Sequence, residues 1–224
     1  MKFAIVVFPG SNCDADCLHV ARDLLGCEAE YVWHKDRDLK GADAVVLPGG
    51  FAYGDYLRAG ALARFSPVME SVSEFAKSGR PVLGICNGFQ VLCEAGLLPG
   101  ALLPNTSLRF VCRQVELVVE NPNTPFTRAC DEGDRLSVPV KHTTGRYYAT
   151  EQALDELGSD GHVLLRYAEG QNPNGAAANI AGITNREGNI VGLMPHPDRC
   201  SEGVLGNDVG RKMFESAVVA LAAR

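Results

Sequence analysis

The residues around Cys86 restrict the possible folds of this chain more than any other stretch. The apolar run Pro81–Ile85 predicts a buried strand of a parallel sheet, and the apolar spacing over Asn87–Glu94 predicts a helix. Between them, Gly84 and Gly88 flank Cys86 in the cysteine form of the G-x-S-x-G nucleophile elbow. Glycines relieve the crowding in such a tight turn, and the helix N-terminus favours a thiolate. The sequence therefore predicts a reactive cysteine presented above an α/β sheet.

The N-terminal half of the chain alternates continuous apolar strands with amphipathic helices. All-apolar strands are typical of parallel sheets that are covered by helices. We therefore predict an α/β fold with an open, mainly parallel sheet and helices on both faces, whose ligands bind at the carboxyl ends of the strands. The predicted strands here are the continuously apolar Phe3–Phe8 and Ala44–Leu47 and the more mixed Glu28–Trp33. Ser11 or Asn12 is predicted to cap the first helix, which ends at about Leu25, and a second helix is predicted from Phe65 to Lys77.

The middle of the chain has a different pattern. Arg109–Glu120 alternates and is rich in valine, which predicts an antiparallel strand. No repeat or linker interrupts the sequence, so we expect a single domain over residues 1–224. Further predicted elements are the strands Arg135–Lys141 and Val163–Tyr167, a hairpin of Asn179–Asn185 with Asn189–Met194, and a terminal helix Gly206–Ala223.

Charge and cysteine content limit the function classes. The formal net charge is −6 and basic residues do not cluster, which argues against nucleic-acid partners. No apolar run approaches the length of a membrane span. Eight cysteines without C-x-x-C pairs argue against a zinc site, and without an export signal they indicate a reducing cytoplasm. Cys13 and Cys17, four residues apart, fit either a metal or redox pair or two small core residues.

A cysteine nucleophile needs a base, usually histidine, and a group that orients the base. Among the five histidines, His196 is the strongest candidate because prolines on both sides restrict its backbone. Asp198 lies two residues further, on the same side of an extended segment, so its carboxylate can fix the tautomer of His196. The alternative is a capped strand end with a solvated histidine and aspartate. His142, which follows another predicted strand, is a candidate for a binding role.

An oxyanion hole requires N–H donors close to the nucleophile. The elbow supplies the backbone N–H of Asn87. Gly49 and Gly50 follow the strand Ala44–Leu47, and such a pair lets the backbone turn an N–H inward. Gly50 is therefore the predicted second donor, and the alternative for this pair is an ordinary turn.

Together these motifs resemble the class I (triad) glutamine amidotransferases, and within them the glutaminase subunits of phosphoribosylformylglycinamidine synthase, an enzyme of purine biosynthesis. Gly49–Gly60 is the most specific stretch, because other class I members share the elbow but not this loop. The resemblance covers the chain from end to end and implies a flavodoxin-like fold. The matching stretches are Phe8–Asp14, Leu47–Gly60, Gly84–Gln90, Asn172–Gly175 and Met194–Arg199.

The resemblance also implies a mechanism. Cys86 would attack the side-chain amide of glutamine, and His196 would pass a proton to the leaving ammonia. Water would then hydrolyse the γ-glutamyl thioester to glutamate. By family pattern, the glutamine would be held by Gln90, Arg109 and Phe110.

The same resemblance implies partners for this chain. Ammonia would pass to a separate synthetase subunit, which would bind ATP and magnesium, and the bacterial complex contains a third, small subunit. The chain has no G-x-x-x-x-G-K-[ST] phosphate loop, which fits a subunit that leaves the ATP step to its partner. We therefore expect no cofactor and no metal in this chain.

The sequence departs from the family in two places. Asp198 stands where glutamate is usual, and although it is shorter by one methylene, aspartate orients the base in other triads. His142–Gly145 reads His-Thr-Thr-Gly where the family commonly has His-Gly-Glu-Gly, which bears on any partner or gating role of that loop. Two alternatives stay open: another cysteine-elbow hydrolase with a different base, and a catalytically silent regulatory or scaffold subunit. A polar and aromatic patch forms either a docking surface or an ordinary exposed loop, and it consists of Tyr53, Asp55, Tyr56 and Arg58.

Overall fold

The structure, a computed structural model, describes residues 1–222, and this part of the chain contains eleven strands. They are β1 (Lys2–Val7), β2 (Glu28–Trp33), β3 (Ala44–Leu47), β4 (Val82–Ile85), β5 (Ala101–Pro104), β6 (Val111–Val119), β7 (Arg135–His142), β8 (Thr144–Tyr148), β9 (Val163–Tyr167), β10 (Ile180–Thr184) and β11 (Ile190–Leu193). Nine of them form one sheet in the order β2-β1-β3-β4-β11-β10-β9-β6-β7, while β5 pairs with β8.

Five α-helices pack on these strands within the described residues. They are α1 (Asp14–His19), which continues as a wider π-helical turn over Val20–Leu24, α2 (Pro67–Lys77), α3 (Asn87–Glu94), α4 (Glu151–Ser159) and α5 (Arg211–Ala222). The crossover through α1 steps from β1 to β2, and the crossover through α2 steps the opposite way from β3 to β4. Since such crossovers are right-handed, α1 and α2 cover opposite faces of the sheet. Over residues 1–222, no helix has both the length and the apolarity that crossing a membrane requires.

The parallel half of the sheet consists of β2, β1, β3, β4 and β11. Counting β11 as the fifth strand gives the order 2-1-3-4-5 of flavodoxin-like sheets. Every residue of β3, β4 and β11 is buried, which explains their unbroken apolar sequences. The pairings of Leu47 with Gly84 and of Ile85 with Leu193 bring the carboxyl ends of these three strands level with one another.

The antiparallel half consists of β10, β9, β6 and β7. In the sheet order, β7 lies four places from β11. The second half of β7 nevertheless contacts the loop that follows β11. The backbone N–H of His196 donates a hydrogen bond of 2.8 Å to the carbonyl oxygen of Pro139 in β7. The last residues of β7 therefore lie against the loop that follows β11.

The predicted fold class is confirmed, with corrections at individual elements. β5, β8 and α4 were not predicted, although Thr150 accepts a hydrogen bond from the N–H of Ala153 as the N-cap of α4. The predicted cap of α1 is wrong, because Cys13 occupies that position and the Ser11 hydroxyl accepts from the N–H of Phe8 instead. The terminal helix begins at Arg211 rather than Gly206, and the predicted end, Ala223, lies outside the described residues.

Candidate active site

Cys86 occupies a strained turn between β4 and α3. Its φ of 50° and ψ of −102° lie in a region that residues with a side chain rarely adopt, at a typical cost of about 1–3 kcal/mol. A hydrogen bond of 2.7 Å from its N–H to the carbonyl oxygen of Leu193 holds the turn. A Cβ on Gly84 would lie 2.8 Å from the backbone of Gly88, and a Cβ on Gly88 would collide with the carbonyl of Leu47. Both predicted elbow glycines are therefore required by close packing.

A small cavity lies at the carboxyl ends of the parallel strands. Its volume is about 80 Å³. The structure brings the predicted nucleophile Cys86 and the predicted base His196 to the same cavity. The other residues that line it are Asn12, Gly50, Phe51, Asp55, Gln90, Phe110, Lys141, His142, Thr143 and Thr144.

His196 is fully buried in the wall of this cavity. Its Nδ1 lies 3.2 Å from Oδ1 and 3.4 Å from Oδ2 of Asp198, while its buried Nε2 has no hydrogen-bond partner among residues 1–222. Burial alone would lower the pKa of His196, but the negative charges of Asp198 and Cys86 raise it well above its ordinary value. The ring therefore has one nitrogen oriented by a carboxylate and the other available for a proton transfer.

Cys13 packs against the same nitrogen of His196, which the sequence did not reveal. Its Sγ lies 3.9 Å from Nδ1, and Gly49 makes room for this contact because a Cβ there would lie 2.5 Å from the Cε1 of His196. Burial alone would raise the pKa of the Cys13 thiol, but hydrogen bonds with His196 and Lys141 lower it. Within the described residues, Cys13 forms a cluster with His196 and Asp198. Cys13 and Cys17 are both fully buried, which agrees with the expectation of small core residues.

The ligand atoms of Cys13, His196 and Asp198 lie within 4.8 Å of one another, close enough to bind a metal ion. However, Nη2 of Arg199 lies 3.6 Å from the sulfur of Cys13 and forms an ion pair of 2.7 Å with Asp16. A guanidinium beside the sulfur disfavours a cation at the same place. The expectation that this chain binds no metal therefore stays a prediction. We interpret Cys13 and Asp198 as side chains that hold the ring of His196 in place.

The two predicted oxyanion donors come from different elements, Asn87 from the start of α3 and Gly50 from the loop after β3. Asn87 is the first residue of α3, where backbone N–H groups lack partners within the helix. Gly50 lines the cavity and forms an isolated antiparallel bridge with Ser11. A Cβ on Gly50 would lie 2.8 Å from the carbonyl oxygen of Gly10, so no other residue fits this backbone position.

The side chain of Asn87 connects the elbow to the neighbouring loops. Its Oδ1 accepts a hydrogen bond of 3.0 Å from the N–H of Ala52, and its Nδ2 donates one of 2.9 Å to Oε1 of Gln90. Gln90 in turn donates through Nε2 to the carbonyl oxygen of Thr144, at 2.6 Å. These bonds join α3 to the loop after β3 and to the segment His142–Thr144, which lines the cavity. We call this segment the antiparallel wall of the cavity.

His142, the last residue of β7, is held neutral in that wall. Nδ2 of Asn174 donates to its Nε2 at 2.9 Å, and Nδ2 of Asn105 donates to its carbonyl oxygen at the same distance. Burial, together with the charge of His196, lowers the pKa of His142 to about 4. The predicted binding role of His142 is compatible with its position at the cavity.

The predicted substrate-binding residues do not all lie at the cavity. Gln90 and Phe110 line the cavity, whereas Arg109 is exposed and is not among the lining residues. The polar and aromatic patch, expected to be either a docking surface or an exposed loop, is also divided, since Asp55 lines the cavity while Tyr56 points to solvent with 73% of its surface exposed. The sequence contained no signal for the inward position of Asp55.

Comparison with known proteins shows the family of this chain. A family model described as a CobB/CobQ-like glutamine amidotransferase domain matches residues 1–219. The chain is 56% identical to the phosphoribosylformylglycinamidine synthase subunit PurQ of Trichormus variabilis, over 99% of this chain and 100% of that protein. The chain belongs to this family of glutamine amidotransferases. A second relative of the same name, from Salinibacter ruber, is 56% identical over 96% of this chain and 94% of its own length.

Two solved structures are similar to this chain over most of its length. A chain in the PurLQS structure of Thermotoga maritima superposes with a TM-score of 0.89 at 42% identity, and 98% of each chain is covered. Another glutamine amidotransferase of Thermotoga maritima has a TM-score of 0.57 at 17% identity, and all of this chain covers 84% of that one. The second likeness shows the shared fold alone.

Proposed function

We propose that this chain releases ammonia from glutamine through a γ-glutamyl thioester on Cys86. The observation that carries the proposal is the shared cavity: the strained Cys86 and the buried His196 line the same small space. His196 has its Nδ1 beside Asp198, and its Nε2 has no partner in the described part of the chain. This is the arrangement that a nucleophile, a base and an orienting group require.

The size of the cavity suits the reactive end of glutamine. An apolar cavity of about 150 Å³ holds benzene, so a cavity of about 80 Å³ has room for about three or four heavy atoms. The volume of about 80 Å³ therefore accepts a terminal carboxamide, and the amino-acid end of the substrate lies towards the mouth. Phe51 and Phe110 line the cavity and are about half exposed, which places them at that mouth.

The reaction proceeds in two halves on these side chains. The Cys86 sulfur attacks the amide carbon, and the N–H groups of Asn87 and Gly50 stabilise the resulting oxyanion. His196 transfers the thiol proton to the amide nitrogen, the C–N bond breaks and ammonia leaves. Water then loses a proton to His196 and cleaves the thioester, which yields glutamate and restores the Cys86 thiol. Asp198 keeps the imidazole oriented throughout, and the raised pKa of His196 suits it to carry the proton.

The names of the relatives support the choice of partners. The 56% identical proteins are subunits of phosphoribosylformylglycinamidine synthase, and the structural relative comes from a PurLQS structure. We infer that this chain supplies ammonia to a synthetase subunit, which binds ATP and magnesium, in a complex with a third, small subunit. The eight cysteines all carry free thiols, which suits a cytoplasmic protein.

Ammonia release by the chain in complex with its synthetase partner tests the proposal. We compare the wild type, Cys86→Ala and, as a matched control, Cys112→Ala, because Cys112 is an exposed cysteine that does not line the cavity. We expect Cys86→Ala to fall to the background rate and Cys112→Ala to keep the wild-type rate.

Two outcomes decide against the proposal in different ways. Glutaminase activity that persists in Cys86→Ala overturns the assignment of the nucleophile. A wild-type complex that releases no ammonia from glutamine supports a silent regulatory or scaffold subunit instead. A complex that releases ammonia with full dependence on Cys86 excludes that alternative.

A further inference from the structure

Asp55 presents a carboxylate on the wall of the cavity that contains Cys86. It is partly buried, and its one hydrogen bond in the described part of the chain is a contact of 3.4 Å from Nδ2 of Asn87. No arginine, lysine or histidine of residues 1–222 forms an ion pair with it. The nearby Lys141 is directed towards Cys13 instead. The cavity wall therefore contains a carboxylate without a cationic partner.

The loop that carries Asp55 is held in a strained conformation. Tyr53, Asp55 and Leu57 all have positive φ values, of 54°, 54° and 69°. The phenol of Tyr53 lies 2.8 Å from Nδ1 of His34, and Arg58 forms an ion pair of 2.6 Å with Glu94. The loop is thus fixed on both sides of Asp55. Such strain persists only where the surroundings enforce it, and it is concentrated at ligand-binding sites.

The electrostatics of Asp55 indicate a ligand with a positive charge. Burial raises its pKa to about 6, and no neighbouring cation opposes this shift. Withdrawing a carboxylate from water without a counter-charge is costly, and perturbed carboxyl groups in clefts are concentrated at functional sites. A cationic group that enters the cavity mouth would remove this cost.

We propose that Asp55 binds the α-ammonium group of the amino-acid substrate. Glutamine carries one cationic group, and its carboxamide must reach Cys86 at the base of the cavity, so its α-carbon lies closer to the mouth. Asp55 lines this cavity and contacts Asn87, the residue next to the nucleophile. This inference rests on the proposed glutaminase function and adds that the site selects α-amino acids over simple amides.

Removing the ammonium group from the substrate and the charge from Asp55 tests this pairing. Ammonia release by the complex is measured with glutamine and with 4-carbamoylbutanoate, which is glutamine without its α-amino group. The proteins are the wild type, Asp55→Asn and the control Glu94→Gln, which frees Arg58 in the same loop without altering the cavity. Where turnover of the analogue is too slow to follow, its Ki as a competitor of glutamine replaces kcat/KM.

We expect the wild type to prefer glutamine, and Asp55→Asn to reduce that preference by about 10- to 100-fold, the usual effect of removing a charged hydrogen-bond partner. The loss should fall on glutamine, while the rate with the analogue is unchanged. Glu94→Gln should keep the wild-type preference, because a loosened loop alone does not remove the carboxylate.

Three results would overturn the inference while the glutaminase function stands. The first is a wild-type complex with equal kcat/KM for glutamine and 4-carbamoylbutanoate, a result that can be obtained without any variant. The second is an equal loss on both substrates in Asp55→Asn, which shows a purely structural role through Asn87. The third is a loss of preference in Glu94→Gln as large as in Asp55→Asn. Failure of the wild type to hydrolyse glutamine at all contradicts the proposed function itself.

Discussion

The parallel strands and the antiparallel strands meet at one cavity, but they hold their residues there in different ways. Cys86 follows β4 directly, and Gly50 and His196 each stand three residues after the end of a buried strand. Their positions are therefore set by strand register, which is fixed by the core. The carboxyl ends of neighbouring parallel strands bring these residues together, and short backbone contacts such as the hydrogen bond from Cys86 to Leu193 hold them there.

The antiparallel side is held by individual hydrogen bonds over long separations. Asn105 and Asn174 fix His142 from 37 and 32 residues away, and Gln90 holds the carbonyl of Thr144 from 54 residues away. This side forms a wall and contributes none of the proposed catalytic groups. The comparison indicates that the parallel half determines the chemistry, whereas the antiparallel half shapes the space around the substrate. It also explains why the departure from the family at Thr143 and Thr144 is compatible with an intact Cys86 and His196.

The largest effect expected from the parallel half follows from Asp198→Ala. Without the carboxylate, the ring of His196 keeps the weak contact of 3.9 Å from Nδ1 to Cys13 as its one polar contact within residues 1–222, and it loses its fixed tautomer. We expect kcat to fall by about 10³- to 10⁴-fold, as in other triads that lose the orienting residue. The rate is measured as ammonia release in the complex, with the exposed Asp38→Ala as a control. A loss below tenfold would assign the orientation of His196 to Cys13 instead.

A smaller loss is expected from Gly50→Ala. The new Cβ would lie 2.8 Å from the carbonyl oxygen of Gly10 and from Cα of Ser11, so the backbone must shift and withdraw its N–H. Removal of one oxyanion donor costs about 10²- to 10³-fold in kcat. Gly158→Ala in α4, where a Cβ has open space, serves as the control and should leave kcat unchanged. Equal rates for both variants would remove Gly50 from the oxyanion hole.

The antiparallel wall should affect stability rather than rate as pH changes. Because the pKa of His142 is lowered from 6.5 to about 4, the unfolded chain binds more protons than the folded one between these values. The contribution of His142 to stability is therefore complete above pH 6.5 and falls as pH decreases towards 4, by roughly 3 kcal/mol in total. The pKa of Asp55 is raised to about 6, so the contribution of Asp55 to stability increases as pH decreases, opposite to that of His142.

Urea unfolding of the wild type and His142→Gln at pH 7 and pH 5 measures the contribution of His142 to the free energy of unfolding. The difference in unfolding free energy between the two proteins should shrink as pH falls from 7 to 5, because only the wild type loses the contribution of His142. A difference that stays constant over this interval would show that His142 titrates normally in the folded protein.

The smallest effect is expected where the two halves are joined, at Gln90. Its side chain connects Asn87 of the elbow to Thr144 of the wall, and truncation to alanine breaks both bonds. We expect KM for glutamine to rise about tenfold with a smaller change in kcat, since a neutral buried hydrogen bond is worth about 1 kcal/mol. The exposed Gln152→Ala is the matched control. A fall in kcat that exceeds the rise in KM would place Gln90 in the chemical step.

The same difference between the halves explains what the sequence could predict. The elbow around Cys86 and the Pro-His-Pro segment around His196 are local patterns at the ends of apolar strands, so they were readable from the chain. The contact of Cys13 with His196 spans 183 positions and depends on the missing Cβ of Gly49, which no local pattern records. β8 and α4 were missed for another reason, because their apolar residues are few and Gly145 interrupts the strand pattern.

The inward position of Asp55 was equally hidden. Its neighbours Tyr53 and Tyr56 suggested a surface loop, and Tyr56 is indeed exposed. Positive φ values at non-glycine residues turn Asp55 to the cavity, and the sequence gives no sign of that conformation. Tertiary contacts of Tyr53 with His34 and Ser66 enforce it.

Mass spectrometry after rapid acid quench tests the central claim most directly. Two cysteines flank His196 in this structure, since Cys86 shares its cavity and Cys13 lies 3.9 Å from its Nδ1. The complex is mixed with glutamine, quenched during turnover and digested, and the γ-glutamyl adduct is assigned to a peptide. Our account predicts the adduct on the Cys86 peptide alone and its disappearance in Cys86→Ala. An adduct on the Cys13 peptide, or turnover without an adduct on Cys86, would contradict it.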